Sequence, residues 1–299
     1  MTALNERTAT ELARMLAAGE VSAEELMRAC LDRVAAREET VQAWAFLDPE
    51  IALANARAAD DRRKAGVALG PLHGLPVGIK DIIETADMPT ENGSDLFRGQ
   101  HTGRDAACVA MLRNAGAVIM GKTVTTELAN TCPSKTRNPH NPEHTPGGSS
   151  AGSGAAVADF HVPLALGTQT AGSVIRPGSF NGIHALKPTV GRIPRDGVLM
   201  QSHTLDTVGV FGRSVEDLAL ITDSLSDFGA ANLSRYGARH PDLLSAMNQE
   251  APAPRFAFLE TPAWPEADPG AREAIEGVVA GLGAQCVRES LPSPFDRIV

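Results

Sequence analysis

Aromatic side chains are scarce in this chain, which holds one tyrosine, two tryptophans and nine phenylalanines in 299 residues. A core built mainly on rings is thereby excluded, and aliphatic residues must fill it. Basic residues are outnumbered, 27 against 36 acidic ones, for a net charge of −9. With no basic stripe to offset that charge, nonspecific nucleic-acid binding is excluded. There are only four cysteines, Cys30, Cys108, Cys132 and Cys286, widely separated and in no C-x-x-C pair. That spacing argues against a disulfide framework or a zinc site and predicts free, mostly buried thiols in a reducing cytosol. No run of 18 apolar residues suggests a membrane span, and the first residues lack the basic-then-apolar pattern of a signal peptide. These absences predict a soluble, cytoplasmic protein with no membrane or nucleic-acid partner, long enough to bury a large core.

What is present reads as alternating helices and strands. Thr8-Ala-Thr-Glu11 and Ser22-Ala-Glu-Glu25 are capping boxes, each followed by apolar residues at helical spacing, with Gly19 ending the first helix. Val41 to Leu47 alternates like a strand, and Pro49 to Ala65 reads as a third helix with a solvated polar face. A loop at Gly70 to Gly78 leads into a buried strand, Val77 to Ile83, interrupted by Lys80-Asp81. Asp87 to Gly99 reads as a polar loop. Asp105 is expected to cap a helix through Arg113, Ala117 to Gly121 to form a strand, and Thr125 to start another helix. Further helices are expected at Ser150 to Ala158 and from Ser214 to about Leu225, with a turn of helix at Val174 to Phe180. Strands are expected at Val162 to Leu166, within Ala185 to Ile193, and at Arg255 to Glu260, and a last helix at Pro269 to Leu282. Tyr236 to Pro254 reads as a surface excursion. The pattern predicts an α/β class with a mixed, helix-covered sheet and no clear domain boundary.

The chemistry concentrates between His144 and Gly182, where two small-residue loops flank the apolar run Val162 to Leu166. Small residues let backbone N–H groups approach a ligand closely. The first loop, Thr145 to Gly154, is compatible with a flexible linker, which adjacent apolar strands disfavour, or with a phosphate cradle, for which the lysine-containing pattern is missing. Gly148-Ser-Ser-Ala-Gly152 also matches the G-x-S-x-G elbow of α/β-hydrolases, yet the polar, proline-rich approach from Arg137 to Pro146 is not a strand. The second loop, Gly167 to Ser173, follows a strand and enters a short helix. Its N–H groups could converge on one oxygen as an oxyanion hole, or the loop could be a tight turn without chemistry. Arg176 could hold a substrate carboxylate or pair with a structural acid. His144 and His184 are candidate bases without an evident orienting partner. Lys80, among apolar neighbours, either snorkels to water or is buried, with its pKa lowered enough to act as a base.

Three of these segments together resemble the amidase signature family: Lys80 in GLPVGIKD, Ser149 in PGGSSAGSGAA and Ser173 in GTQTAGSVIRP, spaced by 69 and 24 residues. GKT at 121–123 and LKPTVGRIP at 186–194 extend the resemblance over roughly residues 8 to 225, with the TQTAGSVIRP variant most similar to the malonamidase branch. The resemblance implies one large domain over 1–299: an N-terminal helical region 8–65, a catalytic core 70–225 and a variable part 226–299. Its fold would be a mixed, twisted sheet with helices on both faces. It implies Ser173 as nucleophile, Ser149 after a cis peptide bond as proton relay, and Lys80 as ultimate base. The N–H groups of Thr170, Ala171, Gly172 and Ser173 would form the oxyanion hole. Thr168, Gly148 and Arg176 would support the triad and orient substrate, and no metal or cofactor is required. Gln169 and Ala171 depart from the aspartate and glycine commoner in the family. Members usually continue for a hundred or more residues beyond this length, so the C-terminal part is expected to be incomplete.

The implied activity is hydrolysis of a small carboxamide through an acyl-enzyme, by a chain acting on a small-molecule amide, with a homodimer favoured. Alternatives from other classes are the amidase subunit of a tRNA-dependent amidotransferase and a noncatalytic small-molecule binder.

Overall fold

The computed structural model of the chain describes residues 2–226, 242–291 and 293. By packing, they fall into two compact units, Met1–Met247 and Asn248–Val299. The first unit holds six strands, β1 (Trp44–Phe46), β2 (Pro76–Lys80), β3 (Val118–Thr123), β4 (Leu164–Gln169), β5 (His184–Leu186) and β6 (Thr207–Gly212). They hydrogen-bond in the order β1-β3-β2-β4-β6-β5. β2 runs parallel to β3 and β4, whereas β1, β5 and β6 pair antiparallel with their neighbours, so the sheet is mixed as expected. Every residue of β2, β3, β4 and β6 is buried. Because successive side chains point to opposite faces, both faces of the sheet must be covered.

Seven helices of this unit, α1 (Ala9–Ala18), α2 (Ala23–Val41), α3 (Pro49–Lys64), α4 (Ala107–Asn114), α5 (Ala151–Ala158), α6 (Ile175–Phe180) and α7 (Val215–Ser224), alternate with the strands. Both predicted capping boxes form, Thr8 with Glu11 and Ser22 with Glu25, and Gly19 ends α1 in the left-handed region at φ 73°. Asp48 caps α3 and Ser214 caps α7. Helix α5 is buried at every residue and packs against β2, β3, β4 and β6. The core is mainly aliphatic, as the shortage of rings requires, with Trp44 and Phe211 buried in it.

Several local expectations need correction. Val41 closes α2, so the first strand is only Trp44–Phe46. Asp105 does not cap α4; its carboxylate accepts the Ala86 N–H and pairs with Arg113, while Ala106 occupies the cap position. Thr125 starts no α-helix. A short 3₁₀ turn, Glu127–Ala129, replaces it, with Leu128 and Ala129 in the left-handed region. Cys30 and Cys108 are buried, with thiols pushed up to about 12 by burial, but Cys132 is exposed and Cys286 half-buried.

Strand β6 is absent from the sequence expectations because Gly209 and Gly212 interrupt its apolar run. Packing demands both: a Cβ on Gly209 would lie 2.8 Å from the Leu186 carbonyl oxygen, and one on Gly212 2.7 Å from Asp217 Cβ. Within Tyr236 to Pro254, read as a surface excursion, Leu243–Met247 is a helical turn, and 227–241 lie outside the described residues.

The second unit is a parallel pair, β7 (Phe256–Leu259) and β8 (Cys286–Glu289), joined through the expected helix Pro269–Leu282, which Asp268 caps. Strand β8 was not anticipated. Among the described residues no helix is long and apolar enough to cross a membrane.

Candidate active site

Parallel strands deliver their C-terminal ends to one edge of a sheet, where ligand sites are commonly built. Here Lys80 ends β2 and Gln169 ends β4. Lys80 is fully buried, which removes the snorkelling alternative. Its Nζ lies 2.7 Å from Ser149 Oγ, 2.9 Å from Thr168 Oγ1 and 3.5 Å from the Thr168 carbonyl oxygen. Burial holds the Lys80 pKa well below the ordinary lysine range, and the Asp206 carboxylate opposes that shift.

Ser149 follows a cis peptide bond, Gly148–Ser149. Its carbonyl oxygen accepts the Thr126 N–H at 3.0 Å, which leaves the hydroxyl facing Lys80. The neighbouring serines have other work. Ser150 Oγ bridges the N–H and carbonyl of Thr168, both at 3.2 Å, and is completely buried. Ser153 Oγ donates to the Leu166 carbonyl at 2.8 Å and lies 2.6 Å from Thr123 Oγ1. Ser150 is therefore no exposed elbow nucleophile; it ties α5 to β4. The small residues of this loop also serve packing. A Cβ on Gly152 would come within 2.2 Å of the Ala43 carbonyl oxygen and 2.3 Å of the Val124 nitrogen.

The second loop is shaped by Gln169. Its Oε1 accepts the N–H groups of Val174 and Ile175, each at 2.9 Å, and its Nε2 donates to the Ala171 carbonyl at 2.8 Å. Thr170 Oγ1 donates to Asp206 Oδ1 at 2.6 Å. The N–H groups of Thr170, Ala171, Gly172 and Ser173 find no acceptor among the described residues. Four backbone donors in succession are thus available to a ligand oxygen. Ser173 is half-buried and its hydroxyl has no hydrogen-bond partner among the described residues.

The two loops touch. The Ser150 N–H donates to the Ser173 carbonyl at 3.3 Å, and exposed Arg176 donates through Nη1 to the Gly148 carbonyl at 3.1 Å. Gly148 and Arg176 border an open cavity of about 380 Å³, together with Thr126, His144 and Phe180. A larger cavity, about 520 Å³, lies beside Asp81, Glu91 and Glu127; neither cavity is lined by Lys80, Ser149 or Ser173. The smaller one is lined by Thr145 to Gly148 of the first loop and by Arg176 beyond the second, so it adjoins both loops.

Thr168, expected to support the triad and orient substrate, has its hydroxyl engaged by Lys80. His144 and His184 are both exposed, and neither bonds a serine of the loops, so neither is placed as a base. Sequence reasoning missed Asp206 altogether, since a single acid before a glycine-interrupted strand carries no signal. Gln169 was visible only as an unusual residue, not as the organiser of the loop. Also missed was the buried ion pair beside the site, Lys122 Nζ to Asp81 Oδ1 at 3.1 Å. Among the described residues, no group of three or more His, Cys, Asp or Glu could hold a metal ion.

The sequence profile of the family described as Amidase matches residues 25–294. The chain is 41% identical to the A-type subunit of the glutamyl-tRNA(Gln) amidotransferase of Acidothermus cellulolyticus, over 98% of this chain and 60% of that one. The protein of the same description from Chloroflexus aurantiacus is 40% identical, over 98% and 62%. Among solved structures, the native peptide amidase of Stenotrophomonas maltophilia superposes with a TM-score of 0.84 at 33% identity, covering 96% of this chain and 62% of that one. The chain therefore spans about three-fifths of the length of these relatives.

Proposed function

This chain belongs to the amidase signature family, and we propose that it cleaves the C–N bond of a carboxamide through an acyl-enzyme on Ser173. The observation that carries the reading is the buried contact of Lys80 Nζ with Ser149 Oγ at 2.7 Å. A neutral amine suits its surroundings: N–H groups toward the two oxygens of Thr168, and a lone pair toward the Ser149 hydroxyl. Ser173 Oγ attacks the carbonyl carbon and passes its proton to Ser149 as Ser149 passes its own to Lys80. The carbonyl electron pair moves onto oxygen, where the N–H groups of residues 170–173 receive the charge. Collapse breaks the C–N bond, and the departing nitrogen takes a proton from Ser149, replenished by Lys80. Water then attacks the ester by the same relay, releasing the acid and restoring Ser173.

Which amide is cleaved follows better from the relatives than from the pocket. The curated relatives favour an ammonia-releasing subunit of a tRNA-dependent amidotransferase, acting on glutamine within a complex, over a free-standing hydrolase of small amides. The solved peptide amidase, at 33% identity, keeps the free-standing reading in play. Labelling with a serine-directed fluorophosphonate and mass spectrometry tests the shared chemistry. Ser173 is expected to carry the adduct in the native chain; retained turnover in Ser173→Ala would overturn the mechanism. Co-expression with candidate partner subunits separates the two readings: vigorous hydrolysis of simple amides by the isolated chain argues against the amidotransferase role.

A further inference from the structure

Asp206 precedes β6 and is 8% exposed, yet among the described residues no cation's side chain bonds its carboxylate. Its carboxylate is instead filled by three donors. Oδ1 accepts the Thr170 hydroxyl at 2.6 Å, and Oδ2 accepts the N–H groups of Gln201 at 2.7 Å and Ser202 at 2.9 Å. The segment bearing it is itself stitched. The Asp206 N–H donates to the Ser202 carbonyl at 3.2 Å, and Arg195 reaches the carbonyls of Asp206 and Ser202 at 2.9 and 3.3 Å and of His203 at 2.9 Å. One anchored carboxylate therefore grips Thr170, the first residue after β4 on the way to Ser173.

We propose that Asp206 is a positioning residue for the amide cleavage, holding the loop of Ser173 in register through the Thr170 hydroxyl. This rests on the function proposed above and deepens it. Gln169 fixes the far end of the same loop through the N–H groups of Val174 and Ile175, so Asp206 and Gln169 clamp it from both sides. The four N–H groups between the clamps, those of residues 170–173, have no acceptor among the described residues, so they are not spent internally; preorganised charge stabilisation needs such unspent donors.

The same carboxylate acts on Lys80. Asp206, from the segment before β6, is the charged group that acts on Lys80; Asp81, the residue that follows Lys80, and Lys122 on β3 lie nearby. The last two neutralise each other at 3.1 Å. Asp206 raises the Lys80 pKa against the larger, opposite effect of burial. Removing its charge thus lowers the pH below which Lys80 becomes protonated and loses its function as base.

Asparagine at this position keeps an acceptor for Gln201 and Ser202 and can donate to Thr170 Oγ1, so it removes the charge and replaces a charge-assisted hydrogen bond with a weaker, reversed one. The test compares Asp206→Asn, Thr170→Val and Thr170→Ser in the whole chain. The readout is the rate of fluorophosphonate labelling at Ser173 as a function of pH. Thr170→Val is expected to slow labelling about 10-fold to 100-fold with an unchanged pH midpoint, since a small misplacement of the loop suffices. Thr170→Ser, which keeps the hydroxyl, should label within about twofold of the native rate. Asp206→Asn should be slowed and have its midpoint displaced to lower pH, a shift that a purely structural role would not produce.

Native rate and midpoint in Asp206→Asn, or equal slowing in Thr170→Val and Thr170→Ser, would overturn the proposal. Should Asp206→Asn fail to fold, the Thr170 pair alone decides. Native chain that labels normally while the variants are indifferent sinks this inference only; native chain that neither labels nor turns over any amide sinks the proposed function and this inference with it.

Discussion

The Nζ of Lys80 lies 2.7 Å from Ser149 Oγ, with the lysine fully buried and the serine 2% exposed. A charged ammonium taken out of water this completely is costly unless a carboxylate meets it directly. Lys80 is met by hydroxyl and carbonyl oxygens instead. Burial thus pushes Lys80 toward its neutral form, which is what the proposed role as base needs.

That burial makes stability depend on pH in a definite direction. Between the lowered pKa of folded Lys80 and the unfolded value of about 10.4, the unfolded chain binds the proton that the folded chain does not. Stability contributed by this group therefore rises with pH across that window, by at most about 1.4 kcal/mol per pH unit. Lys80→Met is expected to flatten the pH dependence of urea unfolding by that one-proton slope while abolishing turnover. An unaltered slope would show that Lys80 keeps its proton in the folded chain.

The pair beside it behaves differently. Burial pushes Lys122 and Asp81 each toward its neutral form, and their 3.1 Å contact opposes this for both. Lys122 also donates to the Pro89 carbonyl and the Thr90 hydroxyl, at 2.9 and 2.7 Å. Asp81→Asn leaves the ammonium without its counter-charge and should destabilise the fold by about 3–5 kcal/mol. Asp81→Asn combined with Lys122→Met should cost less than Asp81→Asn alone. A double-mutant cycle in denaturant reads the difference.

Gln169→Ala removes the acceptor of two N–H groups and the donor to Ala171. A loss of about 1–2 kcal/mol in thermal or chemical unfolding is expected, with kcat falling more than KM changes. Gln169→Glu keeps an acceptor for Val174 and Ile175 and should retain more of kcat than Gln169→Ala. Equal losses in the two would show that the donor to Ala171, not the N–H clamp, is what matters.

Arg176 has a guanidinium edge in the 380 Å³ cavity beyond its contact with Gly148. If it grips a carboxylate on the acyl group, Arg176→Ala raises KM for acidic amides about 10-fold to 100-fold and spares neutral amides of similar size. Equal impairment of both classes would assign Arg176 to holding the Gly148 carbonyl. Steady-state kinetics on a matched pair of amides decides between them.

Much of this protein is determined by local sequence. Capping boxes at Thr8 and Ser22 and the caps at Asp48 and Ser214 act within one turn, so each is legible without the fold. The small-residue loops and the lysine among apolar neighbours are likewise local features, and the resemblance to the amidase signature family singled out Lys80, Ser149 and Ser173 among them. The rest was decided by tertiary packing. The glycines of β6 make sense only against Leu186, Val174 and Asp217, and Asp105 turned from helix cap to partner of Arg113 because that arginine lies within reach. Ser150 and Ser149 are adjacent and chemically identical, yet one is consumed by the Thr168 backbone and the other faces Lys80. Asp206 meets Thr170 across 36 residues. Periodicity and capping report on neighbours along the chain, whereas hydrogen bonds between distant segments exist only once the strands have set their register.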